Sequence, residues 1–159
     1  MALEPIVSTV YLDVYDHDTT PTVIKTVASD SRTRFAEAYL QQHGEVYNPD
    51  PEAAAYLVAL RPDKTVVVGP AELITLVPAS YEPDVNVPGD QAVPLIEIPA
   101  IYGPKAEITK EMLAIPGTIT FQFKIVQGEA ELRTEVFKAI NAINVENAGS
   151  CVIDLTEGS

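Results

Sequence analysis

Apolar side chains in this chain recur at every second position over short stretches, and prolines separate one stretch from the next. In residues 6–15, Ile6, Ser8, Val10, Leu12 and Val14 alternate with Val7, Thr9, Tyr11, Asp13 and Tyr15. That spacing puts an aliphatic set on one face of a half-buried strand. Residues 22–28 make a second candidate strand. In residues 33–41, Phe35, Glu37 and Tyr39 alternate with Ala36, Ala38 and Leu40; the alanines and glutamines there would also suit a helix, but the alternation predicts a strand. Turn residues at His43-Gly44 and Asn48-Pro49-Asp50-Pro51 bound it. Residues 54–60 read as a further strand, which turns at Arg61-Pro62-Asp63-Lys64 and restarts over 65–68 as a hairpin.

The second half carries the clearest pair. Over residues 118–126, Ile119, Phe121, Phe123 and Ile125 share a face opposite Thr118, Thr120, Gln122 and Lys124, and residues 132–143 return after a Gly128-Glu129 turn. Between Gly69 and Pro104, prolines at 70, 78, 83, 88, 94, 99 and 104 interrupt the chain. Each removes a ladder donor, so only short edge strands near 73–77 and 93–98 are predicted, joined by exposed loop. Thr109 is placed to cap a short helix over 109–114, ended by Pro116-Gly117. Residues 145–159 are polar and acidic around one apolar island, Cys151-Val152-Ile153-Asp154-Leu155. The pattern predicts an all-β domain over 1–145, about eight short strands closing a two-sheet β-sandwich with one short helix near 109–114, and a C-terminal strand or linker fragment over 146–159. A length of 159 residues accommodates one such core.

Charge narrows the partners. Asp plus Glu number 23 against 10 Lys plus Arg, a net charge of -13, so nucleic acid and anionic membrane surfaces repel the chain. The first eight residues have no basic, apolar leader pattern, and nowhere is there an apolar run of about 20 residues, the span of a bilayer. Neither a secretory leader nor a membrane helix is expected.

Candidate chemistry is thin. One cysteine, Cys151, and two distant histidines, His17 and His43, match no zinc spacing, and neither a metal nor a cofactor is expected. Asp16-His17-Asp18 has the residue types of a metal or base site, but adjacent carboxylates on an extended chain diverge, and the setting before Thr19-Thr20-Pro21 is that of a turn. Asp30-Ser31-Arg32-Thr33-Arg34 offers two guanidinium forks for an anion; Asp and Ser are also ordinary turn residues, with Arg32 and Arg34 on one face of the next strand. Glu107, Glu111, Glu129 and Glu131 supply the carboxylates of a glycosidase pair without any spacing that opposes them. No phosphate-binding loop, dinucleotide fingerprint or nucleophile elbow occurs, so the chain is expected not to be an enzyme.

Three segments, taken in order, resemble the N-terminal domain of phage baseplate upper proteins. The first runs Ile24-Lys25-Thr26-Val27-Ala28-Ser29-Asp30-Ser31-Arg32-Thr33-Arg34-Phe35. The second joins Gly44-Glu45-Val46-Tyr47, residues 54–60 and Arg61-Pro62-Asp63-Lys64-Thr65, with Lys64 where the family usually has glycine. The third is Ile108-Thr109-Lys110-Glu111-Met112-Leu113, then Pro116-Gly117 and the hairpin over 121–137. Residues 69–104 are longer and richer in proline than the family pattern, and its large C-terminal portion has no counterpart here. The resemblance implies an immunoglobulin-like β-sandwich, a virion structural protein of a phage or prophage, made in the bacterial host cytoplasm. It implies an adaptor that docks to the tail hub through the distal tail protein and passes the connection to the receptor-binding protein, with trimerisation in the full-length family. Aromatic and arginine side chains commonly anchor such contacts, which selects Arg32, Arg34, Tyr81 and Tyr102 as interface residues. The competing expectation is a carbohydrate- or host-surface-binding sandwich that stacks sugar rings on its tyrosines.

Overall fold

The computed structural model describes residues 4–14, 22–28, 32–42, 44–83, 94–145, 151, 153 and 155–157. The first strand, β1 (Ile6–Asp13), buries Val10 and Leu12 and leaves Val7 and Tyr11 outside, the alternation its sequence carries. β2 (Val23–Val27), β3 (Arg34–Gln42) and β5 (Ala54–Leu60) follow the predicted segments closely, with a two-residue β4 (Glu45–Val46) added after Gly44. β10 (Gly117–Gln127) turns Ile119, Phe121, Phe123 and Ile125 into the core, as its alternation demands.

The return strand is split. β11 (Ala130–Arg133) and β12 (Phe137–Ala142) both pair with β10, but Thr134 interrupts them. Its hydroxyl accepts a hydrogen bond from Phe123 N at 3.2 Å and donates to Glu135 O at 2.9 Å. The registers on the two sides of the break differ by one residue, so the return strand carries a bulge there.

The proline-rich segment departs most from expectation. β6 (Val66–Val77) is one 12-residue strand running through Gly69-Pro70, and β9 (Ile101–Ile108), where only loop is predicted past residue 98, lies in the middle of the sheet through Gly103-Pro104. Each proline sits where one of its two ladders ends. Pro70 pairs with Tyr56 of β5, while pairing of β6 to β9 begins at Ala71. Pro104 pairs with Leu73 of β6, while pairing of β9 to β3 stops at Lys105. On the flank where a proline donates nothing, no partner asks for a donor. Between β6 and β9 the chain makes a separate ribbon, β7 (Ser80–Pro83) paired antiparallel with β8 (Leu95–Ile98).

Ten strands form one sheet in the order β1-β3-β9-β6-β5-β10-β12-β2, with β11 on β10 and β4 on β3. The two terminal pairs, β1 with β3 and β12 with β2, are parallel. Glu135 N donates to Asp13 O at 2.8 Å and Asp13 N to Glu135 Oε1 at 3.0 Å, which draws the end of β1 to the start of β12. The fold is an all-β sandwich whose facing layers belong to one sheet curled nearly into a barrel, and the β7–β8 ribbon is the second, small sheet. Small side chains (Ala36, Ala38, Ala55, Ala59, Ala106) share the core with Phe121, Phe123 and Phe137, and Ala59 is paired directly with Phe121. Unequal sizes within the core let its side chains interdigitate.

Residues 109–114 do not make a regular helix. Thr109 Oγ1 accepts from Met112 N at 3.3 Å and Thr109 O from Leu113 N at 3.2 Å, giving one capped turn before the chain re-enters the sheet at Gly117. That turn seats Met112 and Leu113 in the core. Asn141 fastens it: its amide donates to Leu113 O at 3.1 Å and Ile115 O at 2.8 Å, and its carbonyl oxygen accepts from Thr26 Oγ1 at 2.9 Å. The three groups join the plug, β12 and β2, and satisfy polar atoms that burial would otherwise strand. Past Ala142, the described residues 151, 153 and 155 are exposed, and Leu155–Glu157 forms a single 3-10 turn.

The β5–β6 hairpin turns at the predicted place, closed by Arg61 N to Thr65 O at 2.9 Å. Arg61 Nη2 contacts Asp63 Oδ2 at 2.6 Å, and Asp63 Oδ1 also accepts from Thr65 N at 3.0 Å. The Arg61 side-chain bond, then the Thr65 backbone bond, hold the Asp63 carboxyl far below the ordinary carboxylate range. The clasp is therefore complete above that range and is lost only as pH falls through the depressed value. Lys64 adopts a left-handed backbone, φ 70°. A β-carbon is disfavoured there, so Lys64→Gly is expected to stabilise the protein by about 1 kcal/mol, read from the urea midpoint.

Candidate docking surface

Tyr81, Leu95, Ile96 and Ile98 bring exposed apolar side chains together on the β7–β8 ribbon, while others, among them Val66, Val68, Ile140 and Ile143, are spread over the rest of the described residues. All eight of its residues are exposed, including Tyr81 at 64%, Leu95 at 66%, Ile96 at 45% and Ile98 at 41%. Directly opposed residues share a face. The register Tyr81↔Glu97 and Pro83↔Leu95 therefore builds one face, and Ser80↔Ile98 and Glu82↔Ile96 the other. Each face mixes apolar side chains with a single glutamate. A two-stranded ribbon with no layer packed on it is marginal in water, and exposed apolar clusters of this kind mark contact surfaces.

The ribbon is rooted by one side chain. Asn48, in the loop after β4, donates from Nδ2 to Ala100 O at 3.0 Å and accepts from Tyr102 N at 3.0 Å. Beside this clamp a shallow groove of about 320 Å³ runs between Val46, Asn48, Ile98, Pro99, Ala100 and Ile101. It extends the apolar surface from the ribbon onto the body of the sheet.

Two of the four interface residues expected from the sequence lie here and two do not. Tyr81 is on the ribbon's more exposed face; Tyr102 is half-buried at the start of β9, next to the ribbon's root. Arg34 opens β3 opposite Ile108, at the far end of β9, and Arg32 donates from Nε to Glu4 O at 2.8 Å. Six steps along β9 take the chain from Tyr102 to Ile108, about 20 Å of extended chain. The arginine pair and the tyrosine pair belong to different ends of the molecule. Sequence reasoning missed Leu95, Ile96 and Ile98 because a short apolar run reads equally as an edge strand covered by the core. The signal against that reading was Pro94 before the run and Pro99 after it, which isolate it from the neighbouring strands.

The other chemical candidates stay dispersed. Glu131 is taken up by Arg133 at 3.1 Å and Lys124 at 4.0 Å, and Glu107 lies four strands away along the sheet. Glu111 and Glu129 are exposed in turns, and Cys151 is an exposed free thiol. His17 and His43 lie outside the described residues. Among the described residues, no three His, Cys, Asp or Glu side chains gather as a metal site, and no helix is long and apolar enough to cross a membrane. One further aromatic feature faces outward: Tyr11 and Tyr39, paired across β1 and β3, stack with centroids 5.0 Å apart and planes 18° apart.

The fold defines a class, an all-β sandwich whose ribbon leaves apolar side chains exposed. Among solved structures the chain is similar to the N-terminal domain of ORF48 of phage TP901-1, with a TM-score of 0.52 and 10% sequence identity, over 86% of this chain and 98% of that one. At that identity the likeness shows a shared fold. No family model and no curated protein sequence matches the chain.

Proposed function

We propose that the chain is a virion structural domain of a phage or prophage tail baseplate, an adaptor that docks to the tail hub through the distal tail protein and links it to the receptor-binding apparatus. The observation that carries this reading is the coincidence of two independent likenesses. The ordered segments over 24–35, 44–65 and 108–137 resemble the N-terminal domain of baseplate upper proteins, and the fold covers 98% of a solved phage N-terminal domain. The role asks for a rigid sheet and a docking surface rather than a catalytic group, and we assign no catalysis, cofactor or metal to it. Biolayer interferometry of the purified chain against the distal tail protein of the same phage tests it. Saturable binding is expected; a flat response at every concentration would remove the adaptor role.

The stacked Tyr11–Tyr39 pair favours one alternative, a module that lays a sugar ring on the open face of Tyr11, which is 59% exposed on a sheet-edge strand. A glycan array separates the two: carbohydrate binding abolished by Tyr11→Ala, with no hub binding, would favour the module.

A further inference from the structure

We infer that the β7–β8 ribbon is a docking arm for a partner protein that offers an apolar seat ringed by lysine and arginine. The inference rests on the adaptor reading for the partner's identity, the hub protein, and on the ribbon itself for the partner's chemistry. Tyr81 and Leu95 project from one face at 64% and 66% exposure, with Glu97 between them in the register. Ile96 and Ile98 flank Glu82 on the other. Burying such side chains is worth about 1.5–3 kcal/mol each, whereas each glutamate taken into the same contact needs a cation or stays desolvated and unpaired. The surface is therefore complementary to apolar side chains with basic ones set among them.

Charge over the whole segment points the same way. Residues 65–104, which contain the ribbon, carry Glu72, Glu82, Asp84, Asp90 and Glu97 and not one Lys, Arg or His. A second copy of this chain is a poor occupant, since it would bring a net charge of -13 and an equally acidic arm to the contact. The chain's own segment 151–157 brings Asp154 and Glu157. Anionic membranes and nucleic acid are repelled for the same reason. A basic protein surface is the occupant that satisfies both the apolar and the acidic side chains. The Asn48 clamp at Ala100 and Tyr102 holds the base of the arm, so that the partner meets an ordered root and less freedom is lost on binding.

The test compares wild type, the Tyr81→Ser/Leu95→Ser and Glu82→Gln/Glu97→Gln double variants, and Tyr11→Ser as a control off the ribbon on β1, each against immobilised distal tail protein over a range of salt. The altered side chains on the ribbon are exposed, so unchanged thermal midpoints are expected and confirm folding. The apolar double variant is expected to bind at least about ten-fold more weakly, as central anchors do. The charge double variant should lose most of the salt dependence of wild type, and Tyr11→Ser should bind normally. Wild-type binding that neither ribbon variant changes would overturn the arm and leave the adaptor role standing. If wild type does not bind the hub protein, the adaptor role fails, and the same variants are run against each other virion protein of the phage, purified singly. Ribbon-dependent, salt-sensitive binding to one of them upholds the arm, and binding to none overturns it.

Discussion

Gly103→Ala is expected to destabilise the protein by about 3 kcal/mol, a large share of the 5–15 kcal/mol that holds a domain folded. The glycine is buried in β9, and a β-carbon built on it runs into the carbonyl oxygen of Ala38 on β3, 2.6 Å from Leu76 Cδ1 and 3.2 Å from the Ala38 carbonyl carbon. Leu76 can rotate away. The Ala38 carbonyl cannot, because Ala38 is itself fully buried in a strand paired on both sides nearby, with β1 throughout and with β9 up to Glu37. Relief requires β9 to move off β3 just where their ladder ends, and that loosens β6 as well. The sign is informative, since a Gly→Ala change at an unstrained, roomy position stabilises by about 0.4–1 kcal/mol through the unfolded chain. Gly44 and Gly128 supply the contrast: nothing lies within 4 Å of a β-carbon there, but φ is 80° and 61°. Alanine at either should cost only about 1 kcal/mol of backbone strain. Urea midpoints for the three variants rank the effects. A Gly103→Ala midpoint no lower than that of Gly44→Ala would mean that the close approach to Ala38 does not constrain the sheet.

The same residue explains where the sequence could be read and where it could not. β1, β5 and β10 were legible because each has one face on the core and one in solvent, so that burial writes a period of two into the residues: Val10 and Leu12, Leu57 and Ala59, Phe121 and Phe123. β9 was not. Its Gly103-Pro104 pair has the composition of a loop, and its place in the sheet depends on long-range facts, a ladder to β3 that ends before Pro104 and a backbone approach that only glycine permits. β6 was read as two fragments for the same reason at Gly69-Pro70. The break at Thr134 was missed although it inserts one extra residue and moves the inward phase from Leu132 and Thr134 to Phe137 and Ala139, because a polar threonine does not read as a core position. The ribbon proposed as a docking arm was half legible. Tyr81 stood out as an aromatic in a polar, proline-rich stretch, but only the register of β7 with β8 shows that Leu95 shares its face and that Glu97 lies between. Arg32 and Arg34 stood out equally, and the strand order carries them to the opposite end.

Phe137→Ala is expected to cost about 4 kcal/mol and to lower the thermal midpoint by about 10 °C. The ring is fully buried at the first position of β12 and stacks on Phe121 at 5.2 Å and on Phe123 at 5.8 Å, so its loss removes both apolar burial and two ring contacts. The hole would not close easily. The core positions Ala36, Ala38, Ala59 and Ala139 of the same cluster have no side chain long enough to reach in, and β10 and β12 are held in register at Phe121↔Phe137 through Gly117↔Asn141. Phe137 also follows the seam where Asp13 and Glu135 bring β1 to β12. Loosening it should therefore raise hydrogen exchange first in β12, β2 and the end of β1, rather than uniformly. The ribbon lies elsewhere, rooted on β6 and β9. Below the lowered midpoint the variant should thus bind a partner of the arm as wild type does, while a core change that weakened binding as much as Tyr81→Ser/Leu95→Ser would place the contact on the sheet itself.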